Sequence, residues 1–221
     1  MKAVAVHEHG GTENLVYHTD YEDPTPGPGD VVLRVKACSL NYHDIFTRNG
    51  MPGIKLSLPV IPGLDVAGEI AEVGPDVTDW KVGDRVLVDP LNRVEGGLQG
   101  ETYNGGLAEY CKTRAHQLVR IPEGVTYAQA ASLPVAYGTA HRMMFTNGNI
   151  KAGEKALILG ASGGVGTGAL LLAKMIGMEV LAAGSSESKL ARLTEMGADH
   201  VVDYSKEEFH KKVYELFGKP P

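Results

Sequence analysis

The chain has 221 residues, 43% of them hydrophobic, with 21 Lys plus Arg against 27 Asp plus Glu and a formal net charge of −6. That length allows one large domain or two smaller ones with a real core, and the mildly acidic balance offers no basic stripe, so neither nucleic acid nor a membrane surface is an expected partner. Two cysteines without CxxC spacing, Cys38 and Cys111, argue against a disulfide framework; MKAVAVHEHGG lacks a secretory apolar region and the apolar run ALLLAKMIG is cut by Lys174, so a cytoplasmic protein is expected.

Residues 1–125 are short β-branched runs separated by Gly, Pro and Asp: DVVLRVKAC, VAGEIAEVG, DRVLVDP and LAEYCKT. Such runs predict an irregular antiparallel β-barrel. PTPGPGD (24–30) ends one strand and starts the next, because proline cannot donate to a ladder and glycine reaches turn dihedrals. Near 126 the pattern changes. TYAQAASLPVAYGTAHRMMF reads as helix on both sides of Pro134 and NGNIKAGE as a turn, opening a second domain over 126–221. ALILG is a continuous apolar run of the kind found in parallel strands covered on both faces, and Val165, Ala169, Leu172 and Ile176 follow at helical spacing, with Gly177 as a cap. EVLAAG is a second strand, ESKLARLTEMG a helix ending at Gly197, HVVDY a third strand, and KEEFHKKVYELFG a helix with Phe209, Val213 and Leu216 on one face. A β-α-β-α-β-α order implies a right-handed parallel sheet, hence an α/β fold class.

Between the first of these strands and its helix lies ASGGVG, in which Ala161, Gly163 and Gly166 take the three positions of G-x-G-x-x-G. A tight turn with close helix packing would use the same residues. The strand before and the helix after, however, set the N–H groups of Gly163, Gly164, Val165 and Gly166 where a pyrophosphate meets the positive end of a helix. At the end of the second strand an acidic residue would accept from the ribose 2′-hydroxyl of NAD. Gly184, Ser185 and Ser186 stand there instead, with Lys189 one turn on. Two hydroxyls and an ammonium suit the 2′-phosphate of NADP(H); the alternative is that Ser185 or Ser186 caps the helix and Lys189 is a solvated charge.

The stretches NYHDIFTRNG (41–50), LPVIPGLDVAGEIAEVG (58–74), KVGDRVL (81–87), GGLAEY (105–110), ASLPVAYGTAH (131–141) and GASGGVG (160–166) together resemble the medium-chain dehydrogenase/reductase superfamily over essentially the whole chain, and within it the zinc-independent quinone oxidoreductase-like branch. The resemblance implies a GroES-like barrel domain over 1–125 and a Rossmann-type nucleotide-binding domain over 126–221, with the active site in the cleft between them. Zinc members of the superfamily have a cysteine where this chain has Asn41 and a G-H-E where it has Gly63, Leu64 and Asp65. Near the third ligand position lies AASLP, and 89–104 lacks the four cysteines of a structural zinc. Neither metal is therefore expected. Without a Lewis acid a carbonyl must be polarised by hydrogen bonds, which suits hydride delivery to the conjugated carbon of a quinone or enone. The resemblance implies the same chemistry. It places Asn41, Tyr42 and His43 near the nicotinamide and substrate, with Tyr42 or His43 as proton donor. The competing assignment makes Tyr42 a wall of the cleft, His43 a polar surface group, and Asp44 a turn residue paired with Arg48. Tyr204 stands where related NADP enzymes contact the cofactor, or else it packs at the end of the third strand.

A dinucleotide domain has two mononucleotide halves, and only the first, of three strands, is legible here. The expectation is a C-terminally truncated chain whose strand at Ala156 to Leu159 is an open apolar edge. Such a chain would bind cofactor weakly and turn over little. The homodimer usual in the family is doubtful, because its interface uses the later strands. The function read from the sequence is hydride transfer from NADPH to a small-molecule quinone or other α,β-unsaturated carbonyl compound. The alternatives are a zinc-type alcohol dehydrogenase relative or a catalytically weak nucleotide-binding fragment.

Overall fold

The computed structural model describes residues 1–52 and 56–218 and divides into two compact units, Met1–Val135 and Ala136–Pro221. In the first unit, β1 (Ala3–Val6) and β2 (Leu15–His18) form an antiparallel pair. There follow β3 (Asp30–Ser39), α1 (Tyr42–Asn49), β4 (Asp65–Val73), β5 (Arg85–Val88), β6 (Tyr110–Arg114), β7 (Leu118–Arg120) and α2 (Tyr127–Ala131). The five later strands make one antiparallel sheet in the order β6-β3-β4-β5-β7. Its core is built from Val31, Leu33, Val66, Ile70, Val86 and Val88, branched side chains that suit a pleated surface. β3 and β4 approach closely at Gly68, where a Cβ would lie 2.2 Å from Arg34 O, beside a register shift between Val35 and Ala37.

Sequence alone puts the change of pattern near 126, whereas the division into units falls at 135. The difference lies in α2, whose Ala130 and Ala131 are buried with Ala67 and Ile121 of the first unit. A capping box starts this helix: Gln129 N donates to Thr126 Oγ1 (3.2 Å) and Thr126 N to Gln129 Oε1 (2.9 Å).

The second unit contains most of α3 (Pro134–His141), which continues into a wider π-helical turn at Arg142–Asn147. Then come β8 (Lys155–Ile158), α4 (Gly164–Met175), β9 (Glu179–Gly184), α5 (Glu187–Glu195), β10 (His200–Asp203) and α6 (Phe209–Phe217). The strands are parallel in the order β10-β9-β8, so β8 is an edge. β9 is covered on both faces. Val180 and Ala182 pack with Leu170, Ala173 and Leu193, while Leu181 and Ala183 pack with Val202, Val213 and Phe217. The mixed α/β class expected from the sequence is the one observed.

One periodicity is displaced. The fully buried stripe of α4 is Gly166, Leu170 and Ala173, whereas Val165, Ala169, Leu172 and Ile176 are half-buried. The helix sits too close to the turn below it for a side chain at 166, so the small residue faces the sheet. Val165 and Ala169 line an apolar cavity of about 600 Å³ that runs along β8. Among the described residues no helix is long and apolar enough to cross a membrane.

Candidate functional site

In the first unit the site is built on the start of α1. Asn41 is its N-cap, and its main-chain N–H donates to Asp44 Oδ2 at 2.8 Å. Asp44 Oδ1 accepts from Gly63 N at 2.7 Å, so this carboxylate satisfies two main-chain donors and does not pair with Arg48, which bonds Gly10 O and Asn49 Oδ1. Asp65, at the start of β4, accepts three hydrogen bonds: from Ser39 Oγ (2.7 Å), Asn41 Nδ2 (2.9 Å) and Val135 N (2.9 Å). Burial pushes both carboxyls above their ordinary range, and the hydrogen bonds they accept oppose it. Burial also pushes the Cys38 thiol up to about 12, with the Asp44 charge adding to the effect. Cys38 packs under the Gly63 turn, where φ is +103° and a Cβ would meet its Sγ at 2.7 Å.

Tyr42 is 78% exposed, with its ring 6.2 Å from that of Phe46. His43 is held: its Nε2 lies 2.5 Å from Glu101 Oε2. These positions do not fit zinc. Asn41 offers a carboxamide committed to Asp65, Leu64 has no donor atom, and the oxygens of Asp65 already take three hydrogens. Among the described residues no group of three or more His, Cys, Asp or Glu side chains is placed to hold a metal ion.

In the second unit the glycine turn opens α4. The first helical hydrogen bond runs from Thr167 N to Gly163 O at 2.8 Å, which leaves the N–H groups of Gly164, Val165 and Gly166 without a helical acceptor. Gly166 permits this geometry, since a Cβ there would lie 2.4 Å from Gly160 O. Gly160 itself sits at φ +61°, a conformation suited to glycine; the G-x-G-x-x-G reading passed over this turn position, although GASGGVG contains it. Lys189 Nζ donates to Ser185 Oγ at 3.2 Å. Ser186 is the N-cap of α5, but its hydroxyl makes no capping bond and meets Ser188 Oγ at 3.3 Å. Glu187 follows as an exposed first helical residue. Tyr204 N donates to Gly184 O at 3.1 Å, so Tyr204 sits beside the same strand tip. Lys189 and Tyr204 nevertheless line different cavities. Ser162, Ser188, Lys189 and Arg192 line one of about 670 Å³, and Gly160, Tyr204, Glu207 and Glu208 line one of about 470 Å³. The glycine turn contributes to both.

Residues 27–123 match the alcohol dehydrogenase GroES-like domain family and residues 164–221 the zinc-binding dehydrogenase family. Human quinone oxidoreductase is 33% identical over 219 residues, 99% of this chain; the chain spans 63% of that relative's length. A solved NAD-dependent alcohol dehydrogenase superposes with a TM-score of 0.93 at 33% identity, over 99% of this chain and 68% of the other. Escherichia coli quinone oxidoreductase complexed with NADPH gives 0.86 at 25% identity, over 99% and 63%. With both domain families present in sequence order and the backbone shared over nearly its whole length, the chain belongs to the medium-chain dehydrogenase/reductase superfamily.

Proposed function

We propose that the chain carries the cofactor- and substrate-binding residues of an NADPH-dependent, zinc-independent oxidoreductase that reduces quinones or other α,β-unsaturated carbonyl compounds in the cytoplasm. The observation that carries the cofactor choice is Lys189 folded onto Ser185 at the tip of β9, with no carboxylate on residues 184–186. Bound there, the reduced dinucleotide supplies a hydride. The N–H groups at the start of α4 take its diphosphate, and Ser185, Ser186 and Lys189 take its 2′-phosphate. Tyr204 flanks the adenosine on the other side of the strand tip. The cavity it lines also carries Glu207 and Glu208, and so suits the uncharged base rather than a phosphate. Support for NADPH also comes from the quinone oxidoreductase structure that contains it.

On the substrate side, one hydrogen of Asn41 Nδ2 is engaged by Asp65 and the other is free to polarise a carbonyl oxygen. Tyr42 offers an exposed hydroxyl beside it. Both cysteines are free thiols, which fits a reducing compartment. The test is a fluorescence titration with NADPH and NADH, followed by quinone reduction in the presence of a chelator. Tighter NADPH binding and chelator-resistant turnover are expected. Preference for NADH, or activity abolished by the chelator and restored by zinc, would refute the reading.

A further inference from the structure

The contact between His43 and Glu101 joins residues 58 positions apart, and both side chains are largely enclosed, at 24% and 11% exposure. Glu101 belongs to the segment 89–104 and has no Lys or Arg partner among the described ion pairs; its other side-chain contact is Thr102 Oγ1 at 3.5 Å. A carboxylate so enclosed needs a donor, and His43 Nε2 is the one provided. The two carboxylates nearest in the same site do not compete for the ring. Asp44 on α1 is taken by Asn41 N and Gly63 N, and Asp65 on β4 by Ser39, Asn41 and Val135. Nδ1 of His43 has no hydrogen-bond partner among the described residues. The ring is gripped at Nε2 and open at Nδ1, the arrangement that fixes a tautomer and presents one nitrogen for proton transfer.

We infer that His43 is the proton donor of the reduction and that Glu101 is the residue that positions it, a relay that rests on the function proposed above. Addition of hydride to the conjugated carbon of an enone moves the C=C electron pair onto the carbonyl oxygen. That oxygen takes the proton from Nδ1 of the imidazolium, and the N–H bond electrons stay on the ring. The product is an enol and a neutral imidazole whose Nε2–H still points to Glu101. Water then returns a proton to Nδ1.

The experiment combines heteronuclear NMR of isotopically labelled histidine with steady-state reduction of a cyclic enone, on the unaltered chain and on Glu101→Ala, Glu101→Gln and His43→Gln. His43→Gln identifies the ring resonances. A single Nε2–H tautomer is expected in the unaltered chain and in Glu101→Gln, whose amide oxygen still accepts, and a tautomer mixture in Glu101→Ala. In turnover, Glu101→Ala should lower kcat by ~10- to 100-fold at little-changed KM and displace the pH profile, with Glu101→Gln recovering most of the loss. A tautomer mixture in the unaltered chain, or an unmoved kcat and pH profile in Glu101→Ala, would overturn the relay while leaving NADPH chemistry intact. Absence of any hydride transfer by the unaltered chain would overturn the functional reading itself, and the relay's role with it, even where the tautomer is fixed.

Discussion

In the first unit, Gly100 and Gly105 pack main chain against main chain, and Gly63 and Gly106 crowd Cys38: a Cβ on Gly105 would lie 2.3 Å from Gly63 O and 2.6 Å from Pro62 O. In the second unit, a Cβ on Gly163 would meet only Gly160 O at 3.4 Å, and one on Gly164 only Ala136 Cβ at 3.3 Å. In the second turn close packing falls on Gly166 alone, and the Gly163 N–H, expected among the phosphate donors, is taken by Gly160 O at 2.9 Å. The first cluster turns three of its N–H groups inward: Gly63 N bonds Asp44 Oδ1, Gly105 N bonds Ile61 O and Gly106 N bonds Gly63 O. Among the described residues, the second keeps the N–H groups of Gly164, Val165 and Gly166 clear of acceptors. A glycine-rich string therefore leaves main-chain donors unpaired where a helix begins within it.

The sharpest way to break this contrast is Gly105→Ala, which forces a methyl group into backbone. It should destabilise the first unit by about 3 kcal/mol, read from the urea midpoint, and a neutral result would disprove the close packing. Gly163→Asp tests the other side. Aspartate is a good N-cap, so stability should change by only a few tenths of a kcal/mol, while charge repulsion lowers NADPH affinity ~100-fold. Equal affinity in isothermal titration would mean that no phosphate sits at this turn. Lys189→Glu should weaken NADPH by ~10- to 30-fold and leave NADH nearly unchanged; equal effects on both would remove Lys189 from the phosphate subsite.

A further expectation is a pH dependence in the first unit, which holds both cysteines. Burial pushes Cys38 and Cys111 up to about 12, from 9.0. A thiol that keeps its proton longer when folded contributes stability that is complete below the unfolded value and is lost as pH rises through the folded one. Urea midpoints should therefore fall between pH 9 and 12, and fall less in Cys111→Ala. An identical decline in that variant would assign the loss to other groups.

Local pattern carried most of the fold. EVLAAG is continuous, apolar and bounded by glycines, and β9 occupies Glu179–Gly184 with no shift. The helix after the turn was legible as a helix but not in its facing, because its apolar residues cover more than one face and periodicity cannot say which of them meets the sheet. α6 begins at Phe209 because Lys206 N and Glu207 N are drawn back to Asp203 O, a turn that KEEFHKKVYELFG does not announce. In the candidate site, Asn41, Ser185 and Lys189 are expectations from motif position. Glu101 is not one, since its partner lies far along the chain and a lone glutamate before a glycine-rich segment has no local signature. Contacts of that range exist only once the sheet has folded.

The threefold use of Asp65 has a bearing on metal chemistry in this scaffold. Replacing Asn41 with cysteine would remove one of three hydrogens from a carboxylate that burial already disfavours, and would still leave Leu64 where a zinc site needs an imidazole. A single exchange at residue 41 would therefore weaken the hydrogen-bond set of Asp65 without completing a ligand set.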